Sequence, residues 1–185
     1  MKKFLKSTIV LSLLITAFAC SNDDDTPEVV NEEEVITTIT LTLTPQGGGT
    51  PIVLQSRDLD GDGPNDPVIT VGGALTANTT YNGAIVFLNE TESPAENITE
   101  EVIDEAEEHQ VFYVPSSGLN ATFTYEDFDG NGNPLGTLFT LEAGAASSGN
   151  LNVVLRHEPQ KPNNGTLGDA GGETDVSVTF NVNIQ

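Results

Sequence analysis

The chain has 185 residues, of which 28 are acidic and six are basic, and its formal net charge is −22 at pH 7. It is long enough for one domain with a substantial core, but it lacks the basic patch that nucleic-acid binding requires. With a single cysteine, Cys20, these residues form neither an internal disulfide nor a zinc-thiolate site of several cysteines.

The N-terminal segment has the order of charged and apolar residues that is typical of an export signal. Lys2, Lys3 and Lys6 precede an apolar run over residues 9–19. A helix that crosses a bilayer needs about 20 apolar residues, roughly twice the length of this run. We therefore predict a cleaved signal peptide over residues 1–19 rather than a membrane span.

The residues around Cys20 resemble a bacterial lipoprotein signal. Ala17 and Ala19 are the small residues that a signal peptidase accepts, although Phe18 departs from the usual small residue between them. The resemblance implies that Cys20 carries lipid and becomes the mature N-terminus. Without the three lysines of the signal peptide, the predicted mature chain has 28 acidic and three basic residues.

The segment Ser21-Asn22-Asp23-Asp24-Asp25 is similar to the acid-rich export tag of Bacteroidota outer-membrane and cell-surface lipoproteins. This similarity covers only the first 25 residues. It implies a lipid anchor in the outer membrane with the domain at the cell surface. The alternative is that the acids only keep the tether solvated and that the domain lies on the periplasmic face. We interpret residues 20–34 as an acidic tether and 35–185 as one domain.

Apolar residues alternate with polar ones through residues 35–185, which predicts β-strands. The first predicted strand runs over Val35–Thr44, and the last over Asp175–Ile184 with Asp175 on its polar face. Seven more are predicted at Ile52–Ser56, Val68–Val71, Tyr81–Asn89, Gln110–Val114, Ala121–Glu126, Gly136–Leu141 and Leu151–Arg156. Ile85–Leu88 is apolar on both faces, which predicts a central, doubly covered strand.

One stretch has the periodicity of a helix instead. Apolar residues recur at intervals of three and four among glutamates, at Ile98, Val102, Ile103 and Ala106. They predict a short inserted helix over about 98–109, with Asn97 and Glu100 resembling a capping box. Glu107 and Glu108 oppose the helix dipole, so the last turn should fray. The expected fold is therefore an all-β, antiparallel, immunoglobulin-like sandwich of about 7–9 strands with one short helix.

Two glycine-rich loops carry alternating carboxylates, as the first half of a calcium loop does. The candidate calcium ligands are Asp58, Asp60, Asp62 and Asp66 in the first loop, and Asp127, Asp129 and Asn131 in the second. The glutamate that completes a helix-loop-helix calcium site is replaced by Ile69 and Leu138. The alternative is a pair of hairpin turns, for which Asp-Gly and Asn-Gly are favoured.

The sequence contains two histidines, His109 and His157, and each has acidic neighbours. Imidazole together with carboxylate suits zinc, copper or iron, so one interpretation is a shared transition-metal site. The alternative is that the two residues are unrelated and that His109 is exposed or caps the end of the helix.

The chain lacks the usual catalytic motifs, including a Gly-x-Ser-x-Gly elbow and a His-Glu-x-x-His helix. We therefore expect a non-enzymatic envelope lipoprotein that displays a binding or accessory module for a metal or nutrient, with an outer-membrane uptake receptor as partner. Its predicted recognition surface is the long loop 156–165. A second hypothesis is a calcium-stabilised structural or adhesive domain, and a third is a hydrolase with paired carboxylates.

Overall fold

Residues 34–61 and 63–185, which the computed structural model describes, form nine strands and two short helices. The strands are β1 Thr38–Pro45, β2 Ile52–Arg57, β3 Val68–Val71, β4 Thr79–Leu88, β5 His109–Pro115, β6 Ala121–Tyr125, β7 Leu138–Ala143, β8 Ser147–His157 and β9 Glu173–Ile184. The helices are α1 Ile98–Asp104 and α2 Leu167–Ala170. Cys20, the predicted signal peptide and Asp62 lie outside the described residues.

The strands are arranged in two antiparallel sheets. The larger sheet has the order β3-β2-β1-β4-β7-β6, and the smaller has the order β5-β8-β9. All nine predicted strands are present, with ends that differ by a few residues, so the prediction of an all-β sandwich is confirmed. Helix α2 was not predicted. Neither helix in the described part of the chain has the length and apolar composition of a membrane span.

The core lies between the sheets and follows the alternation of the sequence. On β1, Ile39, Leu41 and Leu43 are at most 2% exposed, while the threonines between Ile39 and Leu43 are half-buried. On β9, Phe180 and Val182 are buried in the same way. Because each strand contributes every second side chain, the period of two in the sequence becomes one apolar layer between the sheets.

Strand β4 occupies the centre of the larger sheet, as predicted, since it pairs with β1 on one side and β7 on the other. The prediction that it is covered on both faces is wrong. Ile85 and Phe87 are at most 2% exposed, whereas Val86 between them is 39% exposed. The smaller sheet covers only the inner face of this strand, so Val86 points away from the core.

Helix α1 is shorter than predicted and is not capped as predicted. It ends at Asp104 rather than near residue 109, and turns follow it up to β5. The Asn97 side chain makes no capping bond to the backbone, and its Nδ2 donates instead to Glu100 Oε1 at 2.9 Å. Acidic residues at the C-terminal end and the absence of a basic residue in the last turn leave the helix dipole unopposed there.

Thr99 fastens α1 to the end of β4. Its Oγ1 accepts a hydrogen bond from Phe87 N at 2.8 Å and donates one to Phe87 O at 3.2 Å. The pairing of β4 with β7 stops at Ala84, so Thr99 satisfies backbone groups that would otherwise be buried without a neighbouring strand. Helix α1 therefore takes the place of a neighbouring strand beside the end of β4.

Glu90 joins the first two strands to the segment that follows β4. Arg57 donates to Glu90 Oε2 through Nε at 3.0 Å and Nη2 at 2.6 Å, and Thr38 Oγ1 donates to Oε1 at 2.6 Å. These hydrogen bonds, first from Arg57 and then from Thr38, lower the pKa of Glu90 from 4.5 to about 2.

We expect Glu90→Gln to weaken the dependence of stability on acid pH. The folded pKa of Glu90 lies below its unfolded value, so its ionised form stabilises the fold above pH 4.5 and this contribution disappears as the pH falls towards 2. Urea midpoints at about pH 6 and about pH 3 should therefore differ less in the variant than in the wild type. Glu92→Gln, an exposed neighbour, is the control, and identical pH profiles for wild type and Glu90→Gln would contradict the prediction.

Candidate metal centre

The two histidines lie directly opposite one another on neighbouring strands. His109 is the first residue of β5, His157 is the last residue of β8, and the strand register pairs them. Paired residues of antiparallel strands point to the same face, and His109 Nε2 lies 2.9 Å from His157 Nδ1. The two rings meet edge to face with centroids 4.7 Å apart. The structure thus brings together the two residues of the predicted transition-metal site.

Glu34 reaches this pair from the segment that precedes β1. Its Oε1 atom lies 2.9 Å from His109 Nε2 and 3.7 Å from His157 Nδ1. The sequence predicts that Glu34 ends an acidic tether, yet its side chain is only 5% exposed. The carboxylate therefore belongs to the interior at the end of the sandwich.

Asp175 completes the cluster because the register of β9 shifts beside it. Leu155 pairs with Val176, but the next residue, Arg156, pairs with Thr174, so Asp175 is an extra residue in the strand. Such a β-bulge changes the direction of a side chain. Asp175 Oδ2 lies 4.0 Å from His109 Nε2, and the side chain is 1% exposed. The prediction that Asp175 lies on the polar face of its strand is wrong for this reason.

The four side chains have the spacing of ligands around one cation. One ligand atom from each residue lies within 4.8 Å of all the others. Zinc bonds of 2.0–2.2 Å in tetrahedral geometry place neighbouring ligand atoms about 3.3 Å apart, and the distances of 2.9, 2.9, 3.7 and 4.0 Å lie on both sides of that value. Small movements of the side chains would close the cluster around a metal ion.

The hydrogen bond at the other nitrogen of His109 orients the ring. Nδ1 lies 3.3 Å from the carbonyl oxygen of Glu105. A carbonyl only accepts, so Nδ1 carries a proton, and the other nitrogen, Nε2, faces Glu34 and His157. Two lone pairs at 2.9 Å repel unless a cation or a proton lies between them. The cluster therefore suits a metal ion, or an imidazolium in its place.

Two atoms of the cluster are buried and have no hydrogen-bond partner among the described residues, namely Glu34 Oε2 and His157 Nε2. Buried side-chain polar atoms almost always have a partner. A divalent cation would supply one for the carboxylate and would balance the two negative charges that Glu34 and Asp175 contribute.

The surroundings of the cluster are negatively charged. Burial, and then the charges of Glu34, Glu105 and Glu96, raise the pKa of Glu101, and only His109 opposes them. Carboxylates that disfavour each other's ionisation are relieved when a cation binds nearby. The electrostatics of this end of the domain therefore favour the same class of ligand as the geometry.

Lys161 holds the backbone that leads into His109. Its Nζ atom donates to the carbonyl oxygens of Ala106 and His109, both at 2.6 Å, and lies 3.4 Å from Asp129 Oδ2. Burial lowers the pKa of Lys161, while the charge of Asp129 raises it. Part of the loop 156–165, the predicted recognition surface, thus packs beside the histidine cluster and holds the backbone at His109.

The second glycine-rich loop uses its carboxylates to bind its own backbone. Asp127 accepts hydrogen bonds from the backbone nitrogens of Gly136 and Thr137 and from the Thr137 hydroxyl. Asp129 accepts from the backbone nitrogen of Asn131, whose own side chain is exposed. It also accepts from the backbone and side-chain nitrogens of Asn133. Lys161 also lies beside Asp129. These contacts are the ones expected if the loop is a turn, which is the alternative to a calcium site.

The first glycine-rich loop is more open. Asp60 Oδ2 accepts from Asn65 Nδ2 at 2.6 Å, Asp58 Oδ1 accepts from Asp60 N at 3.3 Å, and Asp66 is exposed. Asp62 is not described. Within the described residues, neither loop brings three carboxylate or imidazole ligand atoms within 4.8 Å of one another, as the histidine cluster does. Calcium binding stays a prediction for both loops.

Comparison with known proteins identifies no related site. No protein-family model, curated protein or solved structure matches this chain. The geometry of the cluster is therefore the basis of the functional proposal.

Sequence reasoning found two of the four residues of the cluster. It singled out His109 and His157 because histidine is rare in the chain and each one has acidic neighbours. It missed Glu34, which lies among other glutamates, and Asp175, which follows the alternation of its strand. Strand β9 lies at the edge of the smaller sheet, where bulges are common, but this position is known only from the structure.

Proposed function

We propose that this chain is a non-enzymatic envelope lipoprotein whose β-sandwich binds a divalent transition-metal ion, with zinc as the first candidate. The ligands are Glu34, His109, His157 and Asp175. The observation that carries the proposal is the convergence of two imidazoles and two carboxylates within 4.8 Å in the interior of the domain. Two nitrogen ligands favour zinc, copper or iron over calcium, which prefers six to eight oxygens.

The burial of the cluster supports binding rather than catalysis. The four side chains are 0–5% exposed, and the protein supplies all four ligands. Catalytic zinc sites keep a position for water or substrate, whereas sites with four protein ligands hold the ion permanently or store it. A bound ion would also join the segment before β1 to the three strands of the smaller sheet.

The membrane part of the proposal rests on the resemblance of residues 1–25 to a lipoprotein signal. Lipid on Cys20 would hold the domain at the outer membrane, at the cell surface or on the periplasmic face. An outer-membrane uptake receptor is the partner that we propose for a metal-binding module in that position.

A second candidate function is a metal-stabilised structural or adhesive domain, which the closed ligand set favours. The two candidates differ in how fast the ion leaves. A module that delivers metal should exchange isotopically labelled zinc within minutes, because it must release its ion to a partner. A structural site should retain the ion as long as the fold persists.

Elemental analysis of the full chain, purified from membranes without chelator and then dialysed, tests the proposal. We expect bound zinc, copper or iron, with less metal in Glu34→Gln, and mass spectrometry should find acyl chains on Cys20. Cys20→Ser is the control for the anchor and should keep the metal. A metal-free wild-type chain would refute the metal site, bound calcium alone would favour the glycine-rich loops, and an unmodified Cys20 would refute the membrane placement.

A further inference from the structure

We infer a second metal-ion site at the surface, formed by Glu108, Glu158 and Nε2 of His157, so that His157 serves two neighbouring sites. This inference rests on the proposed function because it shares His157 and the class of ion. It adds an accessible site next to the buried one.

The strand pair that holds the histidines also brings the two glutamates together. Glu108 precedes His109 at the start of β5, and Glu158 follows His157 at the end of β8. Their backbones are joined by a hydrogen bond from Glu158 N to Glu108 O of 2.7 Å. Glu108, His157 and Glu158 each offer a ligand atom, and these atoms all lie within 4.8 Å of one another.

The second nitrogen of His157 is the observation that points to a ligand. The two nitrogens of an imidazole ring point in different directions, and Nδ1 faces His109 and Glu34. Nε2 is therefore the nitrogen available to the second group. It is buried, has no hydrogen-bond partner among the described residues, and belongs to a side chain that is 5% exposed. A cation held by Glu108 and Glu158 would give this atom a partner.

The second site differs from the first in its access to solvent. Glu108 and Glu158 are both exposed, and Glu108 lines an open groove of about 440 Å³ together with Glu105, Glu107 and Asp129. Clustered carboxylates in a groove raise the local concentration of cations. Three protein ligands also leave the fourth position of a tetrahedral ion for water or for a ligand from a partner that delivers or accepts the metal.

The two sites are coupled through one ring. When both hold an ion, Nδ1 and Nε2 of His157 each bind one, so loss of this side chain should empty both sites.

The test is the zinc stoichiometry of the full chain after equilibrium dialysis against Zn²⁺. We expect two ions per wild-type chain, one in Glu108→Gln/Glu158→Gln, one in Glu34→Gln and none in His157→Ala. The control Glu92→Gln/Glu142→Gln removes two exposed carboxylates that lie outside this groove and should keep two ions. Both glutamates of the surface site are exposed, so their double variant should fold, which its circular dichroism spectrum and melting temperature will verify.

The possible outcomes separate this inference from the proposed function. If the Glu108→Gln/Glu158→Gln variant binds as much zinc as the wild type, the surface site is refuted and the buried site stands. If Glu34→Gln retains all the zinc and the Glu108/Glu158 variant loses it, the buried site is refuted and the surface site stands. If the control variant also loses an ion, the loss in Glu108→Gln/Glu158→Gln reflects the change in net charge, and the surface site is refuted.

Discussion

Zinc should raise the melting temperature of the dialysed chain by about 5–10 °C when it is present at about 100 times its dissociation constant. A ligand that binds only the folded state adds about 2.7 kcal/mol at that concentration. Each kcal/mol shifts the midpoint of a domain of this size by about 2–4 °C. Differential scanning calorimetry in zinc and in chelator measures the shift directly.

The shift should depend on the residues of the cluster. Glu34→Gln preserves the size of the side chain but removes its charge, so it should lose the part of the shift that the buried site contributes. Its melting temperature in chelator should stay close to that of the wild type in chelator. Asp66→Asn, in the first glycine-rich loop, is the matched control and should keep the shift. Superimposable wild-type melts in zinc and in chelator would contradict the prediction, and a shift with calcium that Asp66→Asn removes would favour the loop instead.

Gly83→Ala should destabilise the domain by about 1–3 kcal/mol, because it overpacks the centre of the core. Gly83 lies on β4 directly opposite Phe139 on β7, and a Cβ atom at this position would overlap the Phe139 ring. The ring is 1% exposed and contacts Tyr113 and Phe123, at centroid distances of 4.2 Å and 5.6 Å. It therefore has little room to move, and urea unfolding should report the loss of stability.

A smaller residue at position 139 should relieve part of this cost. Phe139→Leu is destabilising by itself because it removes buried aromatic area, but Gly83→Ala should cost less in that background. A double-mutant cycle measures this coupling. Gly168→Ala in α2 is the control, since a Cβ there meets no atom within 4 Å, and it should be nearly neutral. Strict additivity of Gly83→Ala and Phe139→Leu would show that the overlap is relieved elsewhere.

Most of the β-structure was predictable because strand formation leaves a local signal. A strand with one buried face needs an apolar residue at every second position, and that pattern is complete within each strand of the chain. Because this signal is local, it does not report features that depend on other parts of the fold. Val86 looks buried in the sequence because it is apolar, yet none of the residues 34–61 and 63–185 forms a layer over its side of the sheet. Periodicity does not report how many layers a sheet has.

Helix α1 was likewise predictable only in part. Its apolar spacing predicted where α1 begins, but not that it would stop at Asp104, because β5 takes over the chain at His109 and pairs with β8. The end of the helix was decided by a strand that lies almost 50 residues away in the sequence. Thr99, which fastens the helix to β4, carries no helix signal of its own.

The sequence by itself determined the strands, their inward faces and the two histidines as candidate ligands, because these depend on residue type and short-range spacing. Only the tertiary structure decided that His109 meets His157 across 48 positions and Glu34 across 75. It also decided that a bulge points Asp175 at them. The physical reason is that the side chains of such a cluster come from separate segments of the chain. Strand register, bulges and sheet packing bring them together through long-range contacts, which no single segment encodes.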